Sequence, residues 1–201
     1  MAESPQFPLG SVLFPGMVIP LHVFEPRYRT MVDVVLAGDS TFGVTLIERG
    51  HEVGGSDRRC DVGTKARVLK AEQFSDGRWA LIAVGEERFR VKRWHKDNPY
   101  PRADIDPWPD EGAPMRPGPE LTSMFSRCRA LASEAGIDVG ALPNNLKPDD
   151  LGCIQMSALS PLAAYDKQKL LSVPGPTQRI PMLGQMLADA AELIELRLAN
   201  S

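Results

Sequence analysis

The chain has 201 residues and a net charge of −3, with an isoelectric point near 5.7. This length allows one large domain or two small ones with a buried core. The acidic balance disfavours a general nucleic-acid binder, which needs a basic surface to displace counterions. No apolar run approaches the roughly 20 residues that cross a bilayer, and the amino terminus lacks the features of a signal peptide. We therefore expect a cytoplasmic protein with neither nucleic acid nor a membrane as its partner.

The cysteine content indicates reduced thiols. Cys60, Cys128 and Cys153 are odd in number, far apart, and absent from any Cys-x-x-Cys pair. A secreted domain held by disulfides would carry paired cysteines at closer spacing. No sequence signal supplies the partnered base that a catalytic cysteine needs.

Near the amino terminus, a strand is predicted to lead directly into a helix. Residues 18–24, VIPLHVF, predict the strand. Pro26 suits the first position of a helix, where its missing N–H costs nothing. Apolar residues then recur at helical spacing from Tyr28 to Leu36, and Gly38 follows as a stop.

Short β-branched and aromatic segments follow and predict a strand-rich half. They lie at residues 41–49, 64–74, 78–85 and 88–94. Asp76-Gly77, between the second and third segments, suits a tight hairpin turn. In the last segment, alternation predicts that Phe89 and Val91 face inward and that the basic side chains of Arg88, Arg90 and Lys92 face outward.

The second half of the chain predicts helices. Residues 107–119 contain five prolines and two glycines, which is typical of a linker. An apolar helical stripe follows, then a helix that opens at Pro148, a short helix over 165–171, and a last helix capped by Thr177. We predict a β-rich subdomain over residues 1–110 and a helical subdomain over residues 111–201.

Motifs for catalysis are missing from the sequence. No phosphate-binding loop, dinucleotide fingerprint, nucleophile elbow or zinc-protease motif is present, and the three histidines lack metal-ligand spacing. We therefore predict no catalytic residue, metal or other cofactor. His22 and Glu25 are the most tempting pair, since a carboxylate can hold a histidine as a base. Positions three apart on a strand face opposite sides, so we interpret His22 as a half-buried strand residue and Glu25 as the helix start.

Residues 7–32, FPLGSVLFPGMVIPLHVFEPRYRTMV, strongly resemble the opening of the N-terminal substrate-binding domain of the Lon protease. The shared landmarks are the Phe14-Pro15-Gly16 turn and the run from Pro20 to Tyr28. Further landmarks, FGVTLI, VGTKARV, DGRWALIAVGEERFRV, DKQKLL and QRIPMLGQMLADAAEL, extend the resemblance over nearly the whole chain. Ser172 and Gly175 stand where that family usually carries acids. No Walker motif or protease module follows, so we expect a stand-alone copy that is not an ATP-dependent protease by itself.

The resemblance implies an α+β fold, in which a β-rich, PUA-like pseudo-barrel precedes a C-terminal helical bundle. It also implies a non-catalytic module that recognises unfolded polypeptides or partner proteins. We expect the signature region to border the binding surface, because an exposed methionine near a groove suits adaptable apolar contacts. The peptide-binding residues predicted on this basis are Met17, Phe24, Arg27 and Tyr28.

Two other functions stay open from the sequence. An enzyme or small-molecule site would require a cleft with convergent polar groups of perturbed pKa, such as His22, Glu25 and an arginine in one cavity. RNA binding is the other, because PUA-like barrels elsewhere bind RNA and residues 88–95 form a basic stripe with an aromatic. It would require a clustered basic surface and steep salt dependence.

Overall fold

The amino-terminal strands close into a barrel. The computed structural model describes residues 2–50, 58–140, 142 and 147–200. In that part of the chain the first elements are β1 (Ala2–Leu9), β2 (Val18–Val23), α1 (Pro26–Ala37), β3 (Thr41–Arg49), β4 (Arg58–Gln73), β5 (Trp79–Trp94) and β6 (Arg102–Pro107). The strand order is β2-β5-β4-β3-β1-β6, and β5 also pairs with β6. This second pairing closes β1, β3, β4, β5 and β6 into a ring and leaves β2 as an added strand on β5.

The length of β5 explains both the closure of the ring and the addition of β2. Its first part pairs antiparallel with β2 between Trp79 and Val84, and its last part pairs antiparallel with β6 between Phe89 and Trp94. Register shifts interrupt both the β4–β5 and β5–β6 ladders, and such bulges bend a strand and increase its twist. β5 therefore pairs with β2 along its first part and closes the ring with β6 along its last part. The turn between β4 and β5 contains Gly77 at a φ of 80°, as the Asp76-Gly77 pair predicts.

The main core of this unit lies between the barrel strands and α1. The helix buries the set whose spacing predicted it, namely Tyr28, Met31, Val32 and Val35. These side chains join a cluster that includes Phe7 from β1, Phe42 from β3 and Leu81 from β5. A smaller cluster contains Phe89 with Ala103 and Ile105 of β6.

Helices make up most of the rest of the described chain. The protein divides into two compact units, Met1–Pro109 and Asp110–Ser201. The second unit contains α2 (Pro119–Glu134), a 3-10 turn (Pro148–Asp150), α3 (Cys153–Leu159), α4 (Ala164–Leu171) and α5 (Pro176–Ala199). α2 packs against α5, and the buried side chains of the two helices include Leu121, Phe125, Leu183 and Leu187. The predicted α+β fold, a barrel followed by a helical bundle, is confirmed.

Several local predictions differ from the structure. The helix expected from Pro148 is a 3-10 turn, and α3 begins only at Cys153. The last helix begins at Pro176 with Gly175 as its N-cap, so Thr177 lies inside it and does not cap it. Arg88, expected to face outward in solvent, is 3% exposed. Its guanidinium carbon lies 4.3 Å from the ring centroid of Trp108, which covers it.

Candidate functional site: an apolar groove beside β2

An open groove lies along β2. Its volume is about 340 Å³, and its lining comes from the end of β1, from β2 and from the start of α1. The lining residues are Phe7, Leu9, Ser11, Tyr28 and the seven consecutive residues 19–25. We call this cavity the β2 groove. Eight of its eleven lining residues are apolar or aromatic, polar atoms make up about half of its accessible surface, and one side is open to solvent.

The start of α1 forms a rigid end to the groove. The helix begins at Pro26 because the amides of Tyr28 and Arg29 donate to the Glu25 carbonyl, at 3.1 and 3.0 Å. Arg27 Nε donates to Glu25 Oε2 at 3.1 Å, and the Arg27 guanidinium lies 4.5 Å from the centre of the Tyr28 ring. The Tyr28 ring in turn stacks on Phe7, with 4.4 Å between ring centroids. These contacts fix the positions of the groove residues before any ligand arrives.

Phe24 is the most exposed large apolar side chain of the lining. It lies between the last residue of β2 and the N-cap of α1, and 53% of it is accessible to solvent. The outer face of the β2–β5 ribbon continues this apolar surface. Val18 and Ile82 are exposed there, and Ile82 lies directly opposite Pro20. Clustered exposed apolar residues of this kind mark interaction sites more often than single ones do.

The structure brings together three of the four predicted binding residues. Phe24 and Tyr28 line the β2 groove, and Arg27 adjoins it through Glu25 and Tyr28. Their role in binding stays a prediction. Met17 is not among the lining residues. It is half-buried, packs against the main core, and donates its amide to the Phe14 carbonyl across the predicted Phe14-Pro15-Gly16 turn.

The residues that β1 contributes to the groove lining were not predicted from the sequence. Phe7 and Leu9 belong to a strand that was not predicted, and this strand pairs in parallel with β3. Parallel pairing joins segments that are distant in sequence, so no short-range pattern indicates it. The signal that could have found Phe7 and Leu9 is their spacing of two residues, which places both on one face of a strand.

His22 and Glu25 both line the groove but do not form a base and its carboxylate partner. The Glu25 carboxylate pairs with Arg27, and in the described part of the chain no hydrogen bond or ion pair joins it to His22. His22 is exposed on the outer face, more so than the half-buried position we expected, and its ring lies 6.2 Å from that of Phe74. The arrangement predicted for an enzyme or small-molecule site is therefore not formed here.

The cysteine thiols are not activated as nucleophiles. Burial raises the pKa of the Cys153 thiol to about 11, and it also raises the pKa of Cys60 and Cys128. A thiol with a raised pKa stays protonated at neutral pH, whereas catalysis requires a thiolate. None of the three is in a disulfide, which agrees with the predicted reduced state.

The basic stripe at residues 88–95 is largely engaged by other side chains. Arg88 and Arg90 lie over the Trp108 ring, the latter with its guanidinium carbon 3.5 Å from the ring centroid. Arg93 and His95 both contact Asp104, each at 2.8 Å. A surface that binds phosphates would instead present such cations to solvent without nearby carboxylates.

The described residues contain neither a candidate metal-binding cluster nor a membrane-spanning helix. No group of three or more histidine, cysteine, aspartate or glutamate residues there could hold a metal ion. No helix among them is both long and apolar enough to span a bilayer.

Fold and groove together define a β-barrel protein with a helical second unit and an open apolar groove on an added strand. The sequence model of the ATP-dependent protease La (LON) substrate-binding domain matches residues 3–189. The chain therefore belongs to this family, as the signature at residues 7–32 predicted.

Two Lon proteases that align with most of this chain support this assignment. The chain is 25% identical over 194 residues to a Lon protease of Cytophaga hutchinsonii, a match that covers 92% of this chain and 24% of that protein. It is 27% identical over 184 residues to the Lon protease of Flavobacterium johnsoniae, covering 87% of this chain and 22% of the relative. The chain thus spans about a quarter of the length of the curated relatives it matches.

Solved structures resemble the chain over most of its length. A Lon N-terminal domain protein from Xanthomonas campestris aligns with a TM-score of 0.67 and 27% identity, covering 91% of this chain and 97% of that one. The N-terminal domain of the Mycobacterium avium complex Lon protease aligns with a TM-score of 0.60 over 94% of this chain and 99% of that one. The second match, at 19% identity, shows the shared fold alone.

Proposed function

We propose that this chain is a non-catalytic module that binds polypeptide segments with exposed apolar side chains, and that the β2 groove is its binding site. The observation that carries the proposal is the open apolar groove itself, with Phe24 half-exposed at its rim. A folded protein normally hides its apolar surface, whereas an unfolded client offers it. The groove therefore suits clients that are unfolded or contain an unfolded segment.

The family and the groove chemistry both support a polypeptide ligand. The family is named for binding the substrates of a protease, and such substrates are proteins. Glu25 is the one formally charged residue among the described residues that line the groove, and Arg27 neutralises it. A nucleic acid would find no array of free cations there. The cytoplasmic location expected from the sequence stays a prediction.

Fluorescence anisotropy with three ligands tests this function. The labelled ligands are a reduced and carboxymethylated α-lactalbumin, the native form of the same protein, and a single-stranded RNA of similar size. We expect saturable binding to the unfolded chain and none to the other two. Absence of binding to the unfolded chain would contradict the proposal, and salt-sensitive binding to the RNA alone would favour the RNA hypothesis instead.

A matched pair of variants tests the position of the site. Phe24→Ala removes the exposed aromatic of the groove, while Val34→Ala trims an apolar residue of α1 that is equally exposed, at 51%, and does not line the groove. Full burial of a large apolar side chain contributes about 1.5–3 kcal/mol, and about half of Phe24 remains to be buried. We therefore expect a roughly three- to tenfold loss of affinity for Phe24→Ala and no loss for Val34→Ala. Equal affinities of the two variants would place the site elsewhere.

A further inference from the structure

β2 is an edge strand whose outer side is free of sheet pairing. Among the described residues it pairs with β5 alone, with Val18 opposite Val84 and Pro20 opposite Ile82. The Gly85 amide donates to the Met17 carbonyl at 2.9 Å, so Met17 and the odd-numbered positions after it face β5. The main-chain groups of Val18, Pro20 and His22 consequently point away from β5. Because Pro20 lacks an N–H, it fits a position that faces away from β5, whereas at a position facing β5 it would remove a hydrogen bond of the β2–β5 ladder.

The β2 groove follows this outer edge. Side chains of a strand alternate between its two faces, and those of residues 19, 21 and 23 point to the core side while those of residues 20 and 22 point to the outer face. A cavity on one face would touch one of these sets, whereas the groove touches every residue from 19 to 25. The groove therefore reaches the edge of the strand, where these main-chain groups lie.

The dimensions and charge of the groove suit an added strand. β2 has six residues, and a strand rises about 3.3 Å per residue, so the edge offers roughly 20 Å of backbone. The edge presents the N–H groups of Val18 and His22 and the carbonyls of Val18, Pro20 and His22 to a ligand. The lining holds no unpaired formal charge among the described residues, since Arg27 pairs with Glu25. An uncharged extended segment of five or six residues is complementary to this site.

We propose that a client segment binds by adding to β2 as a further strand, with its main chain bonded to Val18 and His22 and alternate apolar side chains in the groove. This inference rests on the function proposed above and specifies its substrate class: extended, uncharged segments with apolar residues at every second position and without proline. Recognition then depends on backbone groups that every sequence carries, which suits a site that accepts many clients. Pro20 withholds one donor and so limits pairing of the exposed edge with other strands.

Backbone methylation of a peptide tests the proposal directly. The probe is a fluorescein-labelled nine-residue peptide that alternates valine with serine and carries lysines at both ends. Two further versions carry N-methyl groups, one on the valines and one on the serines. In an added strand, alternate amides face β2 and the others face solvent. We therefore expect one methylated version to lose at least tenfold in affinity and the other to bind within about threefold of the unmodified probe.

Other outcomes separate this proposal from the proposed function. If Phe24→Ala weakens binding of the probe while both methylated versions bind like it, or lose affinity equally, the groove binds polypeptides without strand addition and the inference is overturned. If no version binds but the unfolded α-lactalbumin does, strand addition is overturned and the proposed function stands. If neither the peptide nor the unfolded protein binds, both fail. If sedimentation shows that the chain self-associates through this edge and the peptide does not compete, the occupant is a second copy, and strand addition of clients is again overturned.

Pro20→Val provides an independent test, because it is expected to strengthen binding of the probe, whereas methylation is expected to weaken it. The substitution restores the missing amide donor on the free edge and leaves the β5 ladder intact, because Pro20 makes no bond to β5 through its nitrogen. We expect the unmodified probe to bind several-fold more tightly to this variant. The restored N–H would donate to a carbonyl of the ligand, and N-methyl groups on the β2-facing edge hold the ligand backbone too far from β2 for this bond. The version methylated on those amides should therefore gain nothing. Unchanged or weaker binding of the unmodified probe to a folded variant would count against strand addition.

Discussion

Replacement of Gly175 by alanine should destabilise the helical unit because the linker backbone passes against this residue. Glu111 donates its amide to the Pro174 carbonyl at 3.0 Å, which brings the main chain of Glu111 beside Gly175. A Cβ atom on Gly175 would overlap the Glu111 carbonyl oxygen and lie 3.1 Å from its nitrogen and 3.2 Å from its carbonyl carbon. Backbone atoms cannot rotate out of the way as the end of a side chain can.

Gly118 provides a matched control for this substitution. Both glycines are N-caps of helices, both precede a proline at the first helical position, and both have extended backbone angles. A Cβ atom on Gly118 meets nothing within 4 Å. In both variants alanine is a poorer cap by up to about 1 kcal/mol, and it lowers the entropy of the unfolded chain by a similar amount in free energy. These shared effects nearly cancel, so the difference between the variants isolates the steric overlap.

The expected magnitude is that of overpacking a well-packed region, about 1–3 kcal/mol. We expect Gly118→Ala to change the free energy of unfolding by less than about 0.5 kcal/mol and Gly175→Ala to lower it by about 2 kcal/mol. Urea unfolding followed by far-ultraviolet circular dichroism at the helix minimum measures this difference, because α2 and α5 supply much of the helical signal. Equal unfolding midpoints for the two variants would refute the reasoning.

Three further predictions concern single side chains. Asp110→Asn should lower the free energy of unfolding by about 2–3 kcal/mol, because it removes the carboxylate that binds the fully buried Arg179 guanidinium at 2.6 and 2.7 Å. Urea unfolding measures this loss. Adding Arg179→Met to Asp110→Asn should restore part of the lost stability. Met17→Asp should lower the thermal unfolding midpoint, since Met17 packs against the main core, and an unchanged midpoint would contradict that packing. His95 holds the pKa of Asp104 below its ordinary value of 3.8, so the ionised carboxylate stabilises the fold above that pH and the effect is lost as pH falls through the lowered pKa. Asp104→Asn should therefore unfold more easily than the natural chain at pH 7, and thermal melts should show the difference shrinking as the pH falls below 3.8.

The elements that the sequence predicted well are those with local signals. α1 lies between Pro26 and Gly38 because proline suits a first turn and glycine a stop, and its apolar spacing fixes the buried face. The β4–β5 hairpin follows from the Asp76-Gly77 turn. Phe24 and Tyr28 reach the groove because they flank the same strand-to-helix junction, so a short motif determines their proximity.

The elements that the sequence missed depend on distant partners. β1 and β6 are strands because they pair with each other and with β3 and β5, and Ala2 lies opposite Ile105. Arg88 is buried because Trp108, twenty residues later, covers it. The prediction of Met17 as a binding residue rested on its place in the motif, and the structure instead turns it toward the core.

The sequence by itself determined the family, the α+β class and the strand-to-helix junction that carries the predicted binding residues. These follow from patterns within a few residues, where backbone preference and side-chain spacing decide the local structure. The tertiary structure alone decided that β2 pairs on one side only within the described part of the chain, and that Phe7 and Leu9 join the lining of the groove. The physical reason is that barrel closure is a non-local event: the last part of β5 bonds to β6, while its first part bonds to β2, which no other described strand joins.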